Sequence, residues 1–251
     1  LNWIFFALAG SVAQLIDGSL GMGFGVTSST LLVTLGASAA VASAAVHAAE
    51  IGTTLVSGAS HWRAENIDTT VLLRLAIPGG IGALLGATLL SSIDLGTSKI
   101  FISTLLLFLG FLLLYRTMFQ TSGPNFVELS NSRRYLNFLG FAGGFVDASG
   151  GGGWGPIVIP SLMSTTAMTP RKIIGTVSAA EFIVAVSASV GFLLNINKLD
   201  MDWAVVGGLA LGGTLIAPLA AKIVANLPRK QLGIFIALAI ILINGFRVLT
   251  S

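Results

Sequence analysis

The chain has 251 residues, 54% of them hydrophobic and only 9% charged, against about 25% charged in an ordinary soluble domain. That composition excludes a water-facing globular surface, and apolar runs that are continuous rather than alternating favour membrane helices over a β-barrel. The net charge of +3 fits membrane orientation better than nucleic acid; with no cysteine, and histidine only at His47 and His61, no disulfide, redox motif, metal site or cofactor is expected.

Trp3 to Ile16 is apolar, has no basic stretch ahead of it, and reads as a membrane segment rather than a cleaved signal peptide. It covers about 21 Å, short of the ~30 Å hydrocarbon core. The stretch Asp17-Gly-Ser-Leu-Gly-Met-Gly-Phe-Gly25 follows, and then the short run Val26 to Leu35. Two half-helices meeting near mid-membrane are expected. Ser38 caps a helix to about Ser60, His61 to Asp68 is a polar loop, and Thr69 to Leu90 is a long helix interrupted by Pro78-Gly79-Gly80. Ser91 to Ser98 is a turn and Lys99 to Arg116 a further helix.

Thr117 to Arg134 is a polar linker, after which the pattern restarts. Tyr135 to Val146 is short and apolar. Asp147-Ala-Ser-Gly-Gly-Gly-Gly-Trp-Gly155 follows, then Pro156 and the short run Ile157 to Leu162. Thr169-Pro170 caps a helix of about Arg171 to Leu194, Asn195 to Asp202 is a loop, and helices of about Trp203 to Ala225 and Arg229 to Leu249 complete the chain.

The halves align: Asp17 with Asp147, Glu50 with Glu181, Asn66 with Asn197. The expected fold is an all-α integral membrane protein of two inverted repeats, 1–116 and 135–251, each of five apolar segments with the first two short and broken, joined by a cytoplasmic linker, 117–134. An odd number of crossings per half inverts the second copy. Of the thirteen Lys and Arg, only Lys99, Lys198 and Arg247 fall on the side opposite the linker. By the positive-inside rule the linker is cytoplasmic and both termini lie outside the cytoplasm, in a bacterial-type inner membrane.

Asp17, Glu50, Asp147 and Glu181 sit inside apolar segments, where each facing lipid at a helix centre costs ~2.5–3.5 kcal/mol. They must face the protein interior, with no basic residue at comparable depth as an ion-pair partner. Glu50 and Glu181 either cap broken backbone or coordinate solute and relay protons. Ser43, His47, Glu50, Thr54 and Ser57 share one helix face. His47 is either a satisfied interior histidine or a proton-exchanging partner of Glu50.

The glycine-rich tips carry the most specific pattern. Glycine lets backbone turn sharply and lets a ligand approach main-chain N–H groups, and the N-terminus of the half-helix after each tip offers unpaired amides and a positive dipole end. Two such ends converging would hold an anion without a buried Lys or Arg. Gly21, Gly23, Gly25, Gly151, Gly153 and Gly155 form the tips; Ser19, Thr27, Ser28 and Ser149 add hydroxyl donors; Phe24 and Trp154 wall the site. Asp17 and Asp147 either accept backbone N–H bonds that hold the tip or are protonated. Close helix packing is the plainer use of glycine and covers Gly82-x-x-x-Gly86 and Gly208-x-x-x-Gly212.

Asp17-Gly-Ser-x-Gly-x-Gly-x-Gly25, its echo ending Gly153-Trp-Gly155-Pro156, and the Glu50/Glu181 pair resemble the TauE/SafE sulfite exporter family of membrane permeases, over nearly the whole chain. The resemblance implies export of small sulfur-containing anions such as sulfite, sulfoacetate or other organosulfonates. A sister group imports thiosulfate through a cysteine-lined path, and this chain has no cysteine. The expected function is therefore a secondary transporter by alternating access. An anion channel, or a permease for a non-sulfur organic anion, stays open as the alternative. An enzyme is not expected. Expected partners are a small anionic solute, the lipid bilayer, protons as coupling ion and, as an open alternative, further copies of the chain.

Overall fold

A computed structural model describes residues 2–20, 22–93, 95–119, 132–166, 168–195, 197, 199–224 and 229–250. The described residues form ten helices: α1 (Asn2–Leu20), α2 (Phe24–Thr34), α3 (Ala39–Arg63), α4 (Thr69–Leu90), α5 (Leu95–Phe119), α6 (Arg133–Gly150), α7 (Trp154–Thr165), α8 (Pro170–Leu193), α9 (Trp203–Val224) and α10 (Arg229–Thr250). Their starts follow the cap chemistry. Ser38 accepts from the Val41 N–H at 3.2 Å and Thr169 from the Lys172 N–H at 3.4 Å. Asp68 and Ser132 do the same for α4 and α6, two caps the sequence reading did not single out.

Several expected boundaries move. Helix α1 runs through Asp17 and α6 through Asp147, so the first arms have 19 and 18 residues, about 27–29 Å. Among the described residues of the tips, positive φ falls at Gly23 (136°), Gly151 (68°) and Gly152 (143°), because an isolated Gly or Ser inside a packed helix does not end it. Pro78-Gly79-Gly80 does not interrupt α4, which is continuous with Pro78 inside it. His61 belongs to the last turn of α3, so the polar loop is 64–68. Pro156 is the third residue of α7; its missing N–H costs nothing in the first turn. Most of the expected linker, 120–131, lies outside the described residues.

Four helices are long and apolar enough to cross a membrane, Ala39–Arg63, Thr69–Leu90, Ile100–Phe119 and Pro170–Leu193, judged by length and composition among the described residues. Large apolar side chains stand exposed on the outside of the bundle, among them Phe108, Phe138, Leu215, Leu242 and Phe246. A polar solvent would penalise that surface; a hydrocarbon one does not. The protein is an all-helical, multi-pass membrane protein.

Glycines set the closest helix pairs. In α4, Gly82 and Gly86 lie against the Phe141 and Phe145 carbonyls of α6, and Gly140 and Gly144 of α6 lie against Leu75 and Gly79 of α4. The two helices are therefore parallel, with backbones too close for any side chain. Gly208 and Gly212 of α9 meet Trp3 and Ala7 of α1 in the same way. Exchanging α1–α5 for α6–α10 maps the main packing pairs onto one another: α4·α6 onto α9·α1, α4·α8 onto α9·α3, and α3·α8 and α5·α10 onto themselves. Helix α3 runs antiparallel to α8, since Gly58 faces Ala179 while His61 and Asn66 face Gly175.

Candidate functional site

Each glycine tip joins two antiparallel arms. In the second hairpin Gly153 lies beside Asp147 and Gly143 beside Val158, so α7 folds back along α6. In the first, Gly23 packs on Ile16. The returning arms α2 and α7 have 11 and 12 residues, about 16–18 Å, well short of a membrane crossing.

The structure brings the two tips together. Gly25 lies against Gly152 so closely that a Cβ on either would collide with the other's backbone, and the Gly151 carbonyl sits beside Gly25. Ser29 of α2 donates to that Gly151 carbonyl, and Ser43 of α3 donates to the Ala148 carbonyl at 2.6 Å. Hydroxyls of the first half thus satisfy carbonyls that the broken end of α6 leaves open. The expected gap between tips is closed in this conformation. Two small cavities flank the contact, each with room for about one water molecule.

The tip amides are not unpaired as expected. Asp147 Oδ1 accepts from the Gly153 N–H at 2.6 Å and the Trp154 N–H at 2.9 Å. Asp17 accepts from the Phe24 N–H, the equivalent amide of the first hairpin. The Asp147 carboxylate therefore accepts two amides at the second tip. A carboxylate at a helix N-terminus is well placed, because the free N–H groups and the positive dipole end both favour it.

Asp147 also has a partner the sequence reading missed. His47 Nε2 lies 3.1 Å from Asp147 Oδ2 and 4.0 Å from Glu50 Oε2. The statement that the buried acids lack a basic partner is corrected: His47 is that partner, and it pairs with Asp147 rather than with Glu50. His47 Nδ1 lies 2.8 Å from the Ser43 carbonyl, a contact that needs a proton on Nδ1. The Nε2 contact needs a second proton, on the imidazole or on the carboxyl. Two backbone N–H donors satisfy Asp147 Oδ1 and leave Oδ2 to His47.

The remaining candidates divide. Thr27 Oγ1, Ser28 Oγ and Glu50 Oε2 are buried without a hydrogen-bond partner. Ser149 instead donates to the Phe145 carbonyl of its own helix at 2.6 Å. Gly23, Gly25, Gly153, Trp154, Gly155 and Glu181 line the cavity beside the tips. Trp154 is anchored from behind, its indole N–H donating to the Val177 carbonyl at 3.0 Å and its ring filling the space left by Gly79; Gly213 seats Phe24 in the first half. Gly21 and the Ser19 side chain lie outside the described residues.

The chain matches the family model described as "Sulfite exporter TauE/SafE" over residues 6–246. It belongs to the sulfite exporter TauE/SafE family. Among curated relatives, it is 45% identical over 243 residues to the "Probable membrane transporter protein YtnM" of Bacillus subtilis (strain 168), covering 96% of this chain and 81% of that protein. No solved structure matches it. The TauE/SafE assignment and the relative's name both point to a membrane transporter rather than an enzyme.

Proposed function

We propose that this TauE/SafE protein is a secondary transporter of a small sulfur-containing anion, such as sulfite or an organosulfonate like sulfoacetate. The two halves form inverted repeats in a bacterial inner membrane, with both termini outside the cytoplasm, and access alternates as the tips part on one side and then the other. The anion sits between the glycine tips, on the first-turn amides of α2 and α7 and the hydroxyls of Thr27 and Ser28. The observation that carries the reading is the tip contact itself. Two helix N-termini converge at backbone level, and Asp147, a tethered carboxylate, already occupies the amides of one of them. An incoming anion takes the place of that carboxylate. The displaced Asp147 carboxylate takes up a proton from the aqueous side, which couples anion binding to proton binding.

The antiparallel α3·α8 pair and the exchange of packing pairs between halves support the inverted repeat. The test is a thermal-shift screen of the purified protein against sulfite, sulfate, thiosulfate, sulfoacetate, taurine and carboxylate analogues. A ligand bound only by the folded state raises the melting temperature with concentration. Sulfite or a sulfonate is expected to do so. A rise with carboxylates alone, or with none of these solutes, refutes the reading.

A further inference from the structure

The cavity between α1, α3 and α8 has a chemistry unlike that of an anion site. Three carboxylates line it, Asp17, Glu50 and Glu181, together with the amide of Gln14, one turn before Asp17. Among the described residues no Lys, Arg or His lines it. Two of its hydroxyls spend their protons elsewhere, Thr54 Oγ1 on the Glu50 carbonyl at 2.5 Å and Thr53 Oγ1 on the same carbonyl at 3.4 Å; Ser57, Ser178 and Phe24 complete the lining. Glu50 Oε2 is buried and has no hydrogen-bond partner. The nearest base, His47, lies 4.0 Å from Glu50 Oε2 and is engaged by Asp147 at 3.1 Å.

Three carboxylates share this space with no base among them, Glu50 buried and Asp17 and Glu181 half-buried, and a bound cation offsets part of their mutual repulsion. Protons neutralise the carboxyls one at a time, whereas a single cation engages them together. The space holds about one water molecule, which suits a small ion stripped of its shell. Mg²⁺ keeps several waters, and softer metals call for sulfur or nitrogen ligands. We infer that this cavity binds Na⁺ through Asp17, Glu50, Glu181 and the lone pairs of Thr53 and Thr54. Glu50 links the ion to the tips, because it lines both cavities and its Oε1 lies beside Gly25. The inference rests on the proposed coupling role of these acids and names a second ion for it.

The test is the melting temperature of the purified full-length protein in NaCl, KCl and choline chloride at equal ionic strength, with no sulfur oxyanion present. Na⁺ at a few times its dissociation constant is expected to give a saturable rise of about 2–4 °C over choline. Glu50→Gln and Glu181→Gln, made separately, each abolish it while still melting cooperatively. Equal curves in the three salts overturn the site, and so does a sodium response that survives in both variants. A rise on acidification with no sodium response assigns the cavity to protons and also overturns it. A sodium response without any shift from sulfur anions leaves this site standing and removes the anion reading; the opposite pair of results does the reverse.

Discussion

Removing the carboxylate of Asp147 tests the centre of the site most directly. In Asp147→Ala the Gly153 and Trp154 N–H groups lose a buried acceptor, at about 1–3 kcal/mol each, and the buried His47 Nε2 loses its partner. Because one carboxylate serves all three groups, the losses overlap, and about 3–6 kcal/mol is expected. Asp147→Asn behaves differently. Its Oδ1 still accepts both amides, and its NH₂ can donate to Nε2 of a neutral His47 whose Nδ1–H keeps the Ser43 carbonyl. Only the charge-assisted part of each bond is lost, about 1–2 kcal/mol in sum. Asp17→Ala removes the acceptor of the Phe24 amide, and about 1–3 kcal/mol is expected. At about 2–4 °C per kcal/mol for a chain of this size, melting temperatures at one scan rate should fall in the order Asp147→Ala, then Asp17→Ala, with Asp147→Asn nearest the parent. Asp17→Ala losing as much as Asp147→Ala, or Asp147→Asn melting as low as Asp147→Ala, would refute the account of Asp147 as the acceptor that holds the tip.

Two glycines of α9 should respond with opposite signs. Gly212→Ala meets the Ala7 backbone and is expected to destabilise by about 1–3 kcal/mol, whereas Gly207, with nothing within 4 Å, should gain about 0.5–1 kcal/mol as Ala; melting temperatures decide both. Trp154→Phe keeps most of the ring but abandons the Val177 carbonyl, for about 1–3 kcal/mol by the same assay. Glu50→Gln is expected to alter the pH dependence of anion flux in proteoliposomes; a profile identical to the parent removes Glu50 from coupling.

Much of this was readable in the chain because rare polar residues in an apolar background have few places to go. The pairing of Asp17 with Asp147 and the glycine runs beside them gave two hairpins with tips, and the tips do meet. The point at which each helix breaks was not readable, since Asp-Gly-Ser stays helical when the helix is packed and only a positive φ marks the turn. The Asp147 to His47 contact spans 100 residues and depends on how α3 crosses α6, which no local pattern encodes. The Ser29 and Ser43 bonds to the α6 carbonyls are of the same kind. Pro78-Gly79-Gly80 read as a break because proline and glycine are weak helix formers. Its use is at tertiary level: Gly79 gives up its side chain to the Trp154 indole.

The closed tips bear on how such a site could work. Gly25 and Gly152 touch through backbone alone, so parting them exposes little apolar side-chain surface and forfeits few dispersion contacts. What holds them is polar and local, chiefly Ser29 on the Gly151 carbonyl. Removing that hydroxyl in Ser29→Ala should therefore loosen the tip contact at a cost of about 1–3 kcal/mol for the orphaned carbonyl, while the α4·α6 and α1·α9 pairs stay clamped by their glycines. On the proposed reading the tips then part more readily, and hydrogen exchange at Gly25, Val26 and Gly153 should rise while α4 and α9 stay protected. Exchange that rises equally across all helices would mean that the tips open only when the bundle unfolds, and an alternating pathway between them would then have no separate element to move.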